Sequence, residues 1–199
     1  MPLIPSRIIE GDNLTWQVTT SPTIEPVTND EVKLYARIDG SSEDTLIDGF
    51  ITAVRAATEK YLGRALIEQT ITASLNVWPE SPISLPRPPL IEISEVRTVD
   101  EDDDTTTYSS DNYYARILIE PGELVIKFDK TDPCNTNRYF GGYEIEYLAG
   151  YGPLAASVPQ AIKTGITMWV ADIYENRVPI SEPPGIVQTI MAPYRIIPV

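Results

Sequence analysis

The stretch Ser41–Gly63, SSEDTLIDGFITAVRAATEKYLG, dictates much of what this chain can become. Leu46, Phe50, Val54 and Ala57 recur at helical spacing, with Ile47, Ile51, Thr58 and Leu62 beside them, so one side of an amphipathic helix carries a wide apolar stripe. Such a stripe has to be covered. Ser41 is placed to cap the first turn with Asp44 three residues on, and Gly63 to end the helix in the left-handed conformation. Asp48, Arg55, Glu59 and Lys60 fall outside the richest part of the stripe and predict a polar face.

The natural cover lies near the other end of the chain. In SVPQAIKTGITMWVADIYENR, Ser157 and Gln160 have capping-box spacing, a proline sits early enough to be tolerated, and Ile162, Ile166, Trp169 and Ile173 share a face. A shorter helix precedes the first one. Thr28 and Glu31 have capping-box spacing, Leu34, Tyr35 and Ile38 supply its apolar side, and Asp39-Gly40 turns the chain into a short-long helical hairpin.

Between the helices the period changes to that of strands. Ile67–Trp78 is rich in Thr, Ile and Val, and Ile91 and Ile93 alternate with polar neighbours before the period slips toward Val96 and Val99. Thr105–Tyr108, Tyr113–Ile119, ELVIKF after Pro121-Gly122, and YEIEYLAG after Gly141-Gly142 predict further strands. The intervening PESPISLPRPPLIEI cannot be a central strand along its length, because each proline removes a ladder donor. The expected fold is therefore α+β: antiparallel helices in a small bundle, with an inserted antiparallel sheet module of meandering strands. Its expected limits are an extended N-terminal arm over 1–27, a single domain over 28–177 with helices at 28–63 and 157–177 and the sheet insertion at 67–150, and a docking tail over 178–199. The tail, broken by prolines yet ending in Ile190, Met191, Tyr194, Ile196, Ile197 and Val199, needs a groove from its own domain or another subunit.

Charge and residue usage exclude several functions. With 29 acidic against 15 basic residues, the net charge of -14 argues against a sequence-independent grip on nucleic acid or on an anionic membrane. No stretch approaches a membrane span, and the N-terminus lacks the pattern of a signal peptide. The sole cysteine, Cys134, leaves no internal disulfide and reads as an incidental loop thiol in a reducing compartment. The absence of histidine removes His-based triads and the usual transition-metal ligand sets, so no cofactor or metal is expected.

The remaining chemistry is sparse. Glu144 and Glu146 share a strand face, as surface charges do. Asp100, Glu101, Asp102, Asp103 and Asp104 lack the glycine and distant glutamate of a calcium loop, and read as a solvated hairpin tip or an electrostatic fence. Gly150-Tyr151-Gly152 lacks the Lys-Ser or Lys-Thr sequel of a phosphate loop and reads as a turn into the last long helix. The 11 tyrosines are accompanied by acid rather than base, which favours protein interfaces or core packing over stacked nucleic acid. Trp78, Tyr113, Tyr143 and Tyr147 could alternatively form an aromatic platform for a carbohydrate or peptide.

Several phrases, in order, resemble the head-tail connector (adaptor, head-completion) family of long-tailed bacteriophages and gene transfer agents. They are EPVTNDEVKLYARIDGSSEDTLIDGFITAVRAATEKYLGRAL, ISLPRPPLIEISEVRTVD, YEIEYLAGYG, VPQAIKTGITMWVADIYENR and the terminal APYR. The resemblance implies a non-enzymatic subunit of a homo-oligomeric ring, commonly of twelve copies, in the neck of the virion or phage-like particle, assembled in the bacterial cytoplasm. It implies a ring beneath the portal protein that extends the DNA channel without binding DNA specifically and carries a stopper or tail-completion protein. An isolated chain can be monomeric, since a portal can template closure. Carried onto this chain, the resemblance places portal docking in the tail, at Ile190, Met191, Pro193, Tyr194, Arg195 and Ile196. Asp30 or Glu31 with Arg37 or Arg55 of a neighbour are expected ring contacts by surface charge. Another neck or tail-completion role is the nearest alternative.

Overall fold

In the computed structural model, which describes residues 14–133, 138–177 and 182–196, helix boundaries follow local capping chemistry. Helix α1 spans Asn29–Ala36. Thr28 Oγ1 accepts from the Glu31 amide at 3.2 Å, and Glu31 Oε2 accepts from the Thr28 amide at 2.7 Å, completing the expected capping box. Helix α2 spans Asp44–Leu62 and stops at Gly63, which takes φ 69° as expected of a left-handed cap. Helix α3 spans Gln160–Asn176 and α4 spans Gly185–Met191. Among the described residues there are four α-helices and eight strands in two antiparallel sheets, an α+β fold.

The chain divides into two compact units, a helical unit within 22–68 and 150–199 and a sheet unit within 1–21 and 69–149. In the helical unit α1, α2 and α4 all pack on α3. Ile162, Ile166, Trp169 and Ile173 are buried, as their spacing predicts, against Ile47, Ile51, Val54 and Leu62 of α2. Gly165 admits α4: a Cβ there would lie 2.5 Å from Met191 Cε and 3.3 Å from Val187 Cγ1.

Three local expectations of the helical unit fail for identifiable reasons. Ser41 does not cap α2, because residues 41–43 form a turn and Asp44 is held by Lys33 at 2.7 Å. Ser157 ends a short 3-10 turn and Pro159 takes the α3 cap position, so no side-chain cap forms there. The buried stripes are also rotated from those expected: Val32 rather than Leu34 or Tyr35 anchors α1, and Leu46 of α2 is exposed.

The sheet unit contains β1 (Leu14–Thr20), β2 (Gln69–Leu75), β3 (Ile83–Ser84), β4 (Leu90–Val99), β5 (Thr105–Thr107), β6 (Tyr113–Arg116), β7 (Glu123–Ile126) and β8 (Tyr143–Ala149). The larger sheet has the order β1-β2-β8-β4-β5 and the smaller one β3-β7-β6, so the strands do not follow the expected meander. β8 inserts between β2 and β4 because its alternating Ile145, Tyr147 and Ala149 are all buried, which suits a central position. β1 forms part of the stretch expected as an arm and pairs with β2 from Leu14↔Leu75 to Thr20↔Thr70. The sequence slip after Ile93 is a register irregularity between Ile93 and Glu95 against β8. The proline-rich stretch contributes only the two-residue β3, at the edge of the smaller sheet.

Tyr147 is fully buried in this unit and donates its hydroxyl to the Pro86 carbonyl at 2.8 Å. Burial pushes its pKa, and that of Tyr113, above the usual tyrosine value. The folded chain holds these phenolic protons more tightly than the unfolded chain, so their contribution is full below about pH 10 and is lost as pH rises beyond it. Tyr147→Phe is expected to destabilise by about 1 kcal/mol at neutral pH. It should also reduce the alkaline loss, and equal slopes for both proteins in urea titrations between neutral and alkaline pH would contradict this.

Candidate functional site

The helical unit uses most of its charges internally. Glu31 closes the α1 cap and pairs with Lys163 at 3.2 Å, and the Thr28 amide, with Lys163 adding, holds its carboxyl below the usual value. Arg55 reaches Glu25 at 2.7 Å and Glu59 at 3.2 Å. Two of the expected ring contacts, Glu31 and Arg55, are therefore already engaged within their own unit. Arg37 differs: it ends α1 with φ 55°, is exposed, and has no ion pair among the described residues. It lines an open cleft of about 500 Å³ with Tyr35, Met168, Asp172, Glu175 and Ile186. Leu34, Tyr35 and Ile186 are exposed apolar side chains on this unit.

The C-terminal stretch lies on the same helical unit as far as Ile196. Met191 is a core residue, Ile190 and Tyr194 are half-buried, and Pro193 and Arg195 are exposed. The Arg195 guanidinium sits 4.7 Å from the centre of the Tyr61 ring, and the Ile196 amide donates to the Leu62 carbonyl at 2.9 Å. Arg64 Nε donates to the Tyr194 carbonyl. Ile197 and Val199 of the expected tail lie outside the described residues, as does Cys134.

Two residues of this arrangement escape sequence reading. Glu59, expected on the polar face, is 6% exposed and its Oε1 accepts from the Leu66 amide at 2.9 Å. Arg64 is equally buried. The Arg55–Glu59 spacing of one helical turn was the available signal, but nothing local shows that the chain after Gly63 folds back onto that carboxylate.

In the sheet unit Glu144 accepts from Arg97 at 2.7 Å and from Arg138 at 3.4 Å, so it belongs to an ion-pair ladder rather than to an acid–base pair with Glu146. The ladder continues from Arg97 to Glu95 at 3.3 Å and from Arg138 to Asp103 at 2.7 Å. The acidic run is the tip of the β4–β5 hairpin. Asp100 Oδ1 accepts from the amides of Asp102 and Asp104, each at 3.0 Å, which fixes the turn while Glu101, Asp102, Asp103 and Asp104 remain exposed. Among the described residues no group of carboxylates or cysteines converges on a metal-sized site, and no helix is long and apolar enough to cross a membrane.

The four aromatics considered for a ligand platform do not make one. Tyr147 and Tyr113 are buried, while Trp78 and Tyr143 pack on each other at 5.5 Å. The exposed aromatics of the unit lie elsewhere, at Trp16, Tyr114, Phe128, Tyr139 and Phe140.

Solved structures share the fold. One chain, from a structure described as the neck of an empty GTA particle computed with C6 symmetry, is 18% identical with a TM-score of 0.78, covering 93% of this chain and 97% of that one. A chain from the virion of a native gene transfer agent particle is 19% identical, also with a TM-score of 0.78 and the same coverage. A chain from the neck of a native GTA particle computed with C12 symmetry is 18% identical, with a TM-score of 0.72. No curated protein sequence matches the chain. The family model described as head completion protein matches residues 25–197, and the chain therefore belongs to the head completion protein family.

Proposed function

We propose that this chain is a structural, non-enzymatic subunit of a homo-oligomeric ring in the neck of a phage or gene-transfer-agent particle. The family match over 25–197 carries this reading, and the fold shared with neck components, one from a twelvefold structure, supports it. The ring sits beneath the portal, extends the DNA channel and presents a platform for a stopper or tail-completion protein. Subunits assemble in the bacterial cytoplasm. The helical unit builds the ring body, with Arg37 and the exposed Leu34, Tyr35 and Ile186 as contacts between copies. Residues 178–199 form the portal-docking tail, in which Pro193 and Arg195 are the exposed members of the described part.

The physical balance suits the task. A connector holds protein tightly and DNA weakly, and a chain of net charge -14 repels phosphates while its apolar patches favour protein contacts. The acidic tip at 100–104 acts in this reading as an electrostatic fence against DNA. Native mass measurement of the purified protein with and without its cognate portal is the test. A portal-bound multiple matching the portal's symmetry is expected. Failure to bind portal, together with failure to form any oligomer, would contradict the ring role, whereas stable binding to another neck protein alone would move the subunit along the particle.

A further inference from the structure

Three exposed apolar side chains gather at one end of the larger sheet: Val77 is 66% exposed, Tyr139 81% and Phe140 69%. The two rings meet edge to face with centroids 4.7 Å apart. The Gly141 amide donates to Asn76 Oδ1 at 2.8 Å, which seats the Tyr139-Phe140 turn beside the end of β2 and next to Val77. Each aromatic offers on the order of 150–250 Å² for burial, and a clustered pair left in water marks an interaction surface.

The same turn is tied to the acidic hairpin tip. The Arg138 amide donates to the Val99 carbonyl at 3.1 Å, the Val99 amide to the Gly142 carbonyl at 2.9 Å, and Arg138 Nη1 binds Asp103 at 2.7 Å. Asp103 is thereby neutralised, and Asp100 is occupied in the turn. Glu101, Asp102 and Asp104 are exposed, with no ion pair among the described residues, and they belong to the hairpin tip that Asp103 ties to Arg138, the residue before Tyr139.

We propose that Val77, Tyr139 and Phe140, together with Glu101, Asp102 and Asp104 of the hairpin tip, dock a different protein of the neck whose apolar contact residues are framed by Lys and Arg. The proposal rests on the neck role above and deepens its platform function. Charge selects the occupant. A second copy of this chain is a poor match, because it brings the same net charge of -14 to an acidic tip. Nucleic acid is a poorer one, since the tip repels phosphates.

The test uses the full chain assembled on its cognate portal, with the purified cognate stopper protein as probe, and reads association and dissociation at low and moderate salt. Tyr139→Ser with Phe140→Ser should weaken binding at least about tenfold, as for central aromatic anchors. Glu101→Gln, Asp102→Asn and Asp104→Asn together should slow association several-fold and flatten its salt dependence. Leu118→Ser, at a side chain that is 96% exposed elsewhere on the unit, should change neither. All variants should retain the wild-type circular dichroism, because they alter exposed side chains. Stopper binding that is insensitive to the aromatic pair would overturn this proposal alone. Loss of ring formation by the same pair would make a second copy the occupant and overturn it as well. A ring that forms on the portal yet never binds stopper would overturn the platform function and this proposal together.

Discussion

Gly150→Ala is expected to destabilise the protein by about 3 kcal/mol or more, from backbone strain combined with a steric clash. Gly150 has φ 132°, a conformation that residues with a side chain rarely adopt. A Cβ at this position would also lie 2.7 Å from both the Ile67 carbonyl carbon and its oxygen, and 2.8 Å from the Glu68 amide nitrogen. Those are backbone atoms, so no rotamer change relieves the contact. The strands of chain involved are held together next door, where the Tyr151 amide donates to the Leu66 carbonyl at 3.1 Å and the Glu68 amide to the Gly152 carbonyl at 3.0 Å. The variant has to break this bridge or distort it. Urea titration followed by circular dichroism measures the effect, and a loss below about 1 kcal/mol would show that the two segments separate freely.

Trp169→Ala should have a comparable effect, roughly 3–5 kcal/mol. Trp169 is 2% exposed at the centre of the stripe on α3, the helix on which α1, α2 and α4 pack. Truncation removes its contacts and leaves a cavity that three helices would have to collapse into. Trp169→Phe keeps much of the volume and should lose less than half as much. The comparison separates packing from any role of the indole itself: equal losses for Ala and Phe would point to the ring nitrogen rather than to volume. Because the helical unit is the proposed ring body, the alanine variant should also shift the protein concentration needed for portal-bound assembly upward, in parallel with its lost stability.

The legible parts of this molecule are those whose cause is local. Thr28 and Glu31 satisfy each other's backbone within four residues, Gly63 ends a helix through its own conformation, and Ile162, Ile166, Trp169 and Ile173 are brought to one face by helical geometry alone. Even the irregularity after Ile93 shows in the alternation of the strand itself. What is not legible depends on partners far along the chain. Asp44 is diverted from Ser41 by Lys33, Glu59 is buried because Leu66 returns to it, and Leu34, Tyr35 and Leu46 face outward because Val32 and Ile47 win the inward positions. The same holds for the surfaces: Tyr139 and Phe140 look like any two of the aromatics in the sequence, and only the fold distinguishes them from the buried Tyr113 and Tyr147.

The place of β8 has a consequence for synthesis. β8 is the last strand to leave the ribosome, yet it supplies the facing edge for both β2 and β4. At about 5–20 residues per second, β2 waits several seconds with an edge unpaired before β8 emerges. The apolar side of α2 waits longer, until α3 has been made. Neither half of the chain can bury its core early, so interrupted translation yields sticky fragments that are ready for proteolysis or aggregation. Only a chain translated through α3 has both units able to close, so truncated products lack the folded body that the proposed ring requires.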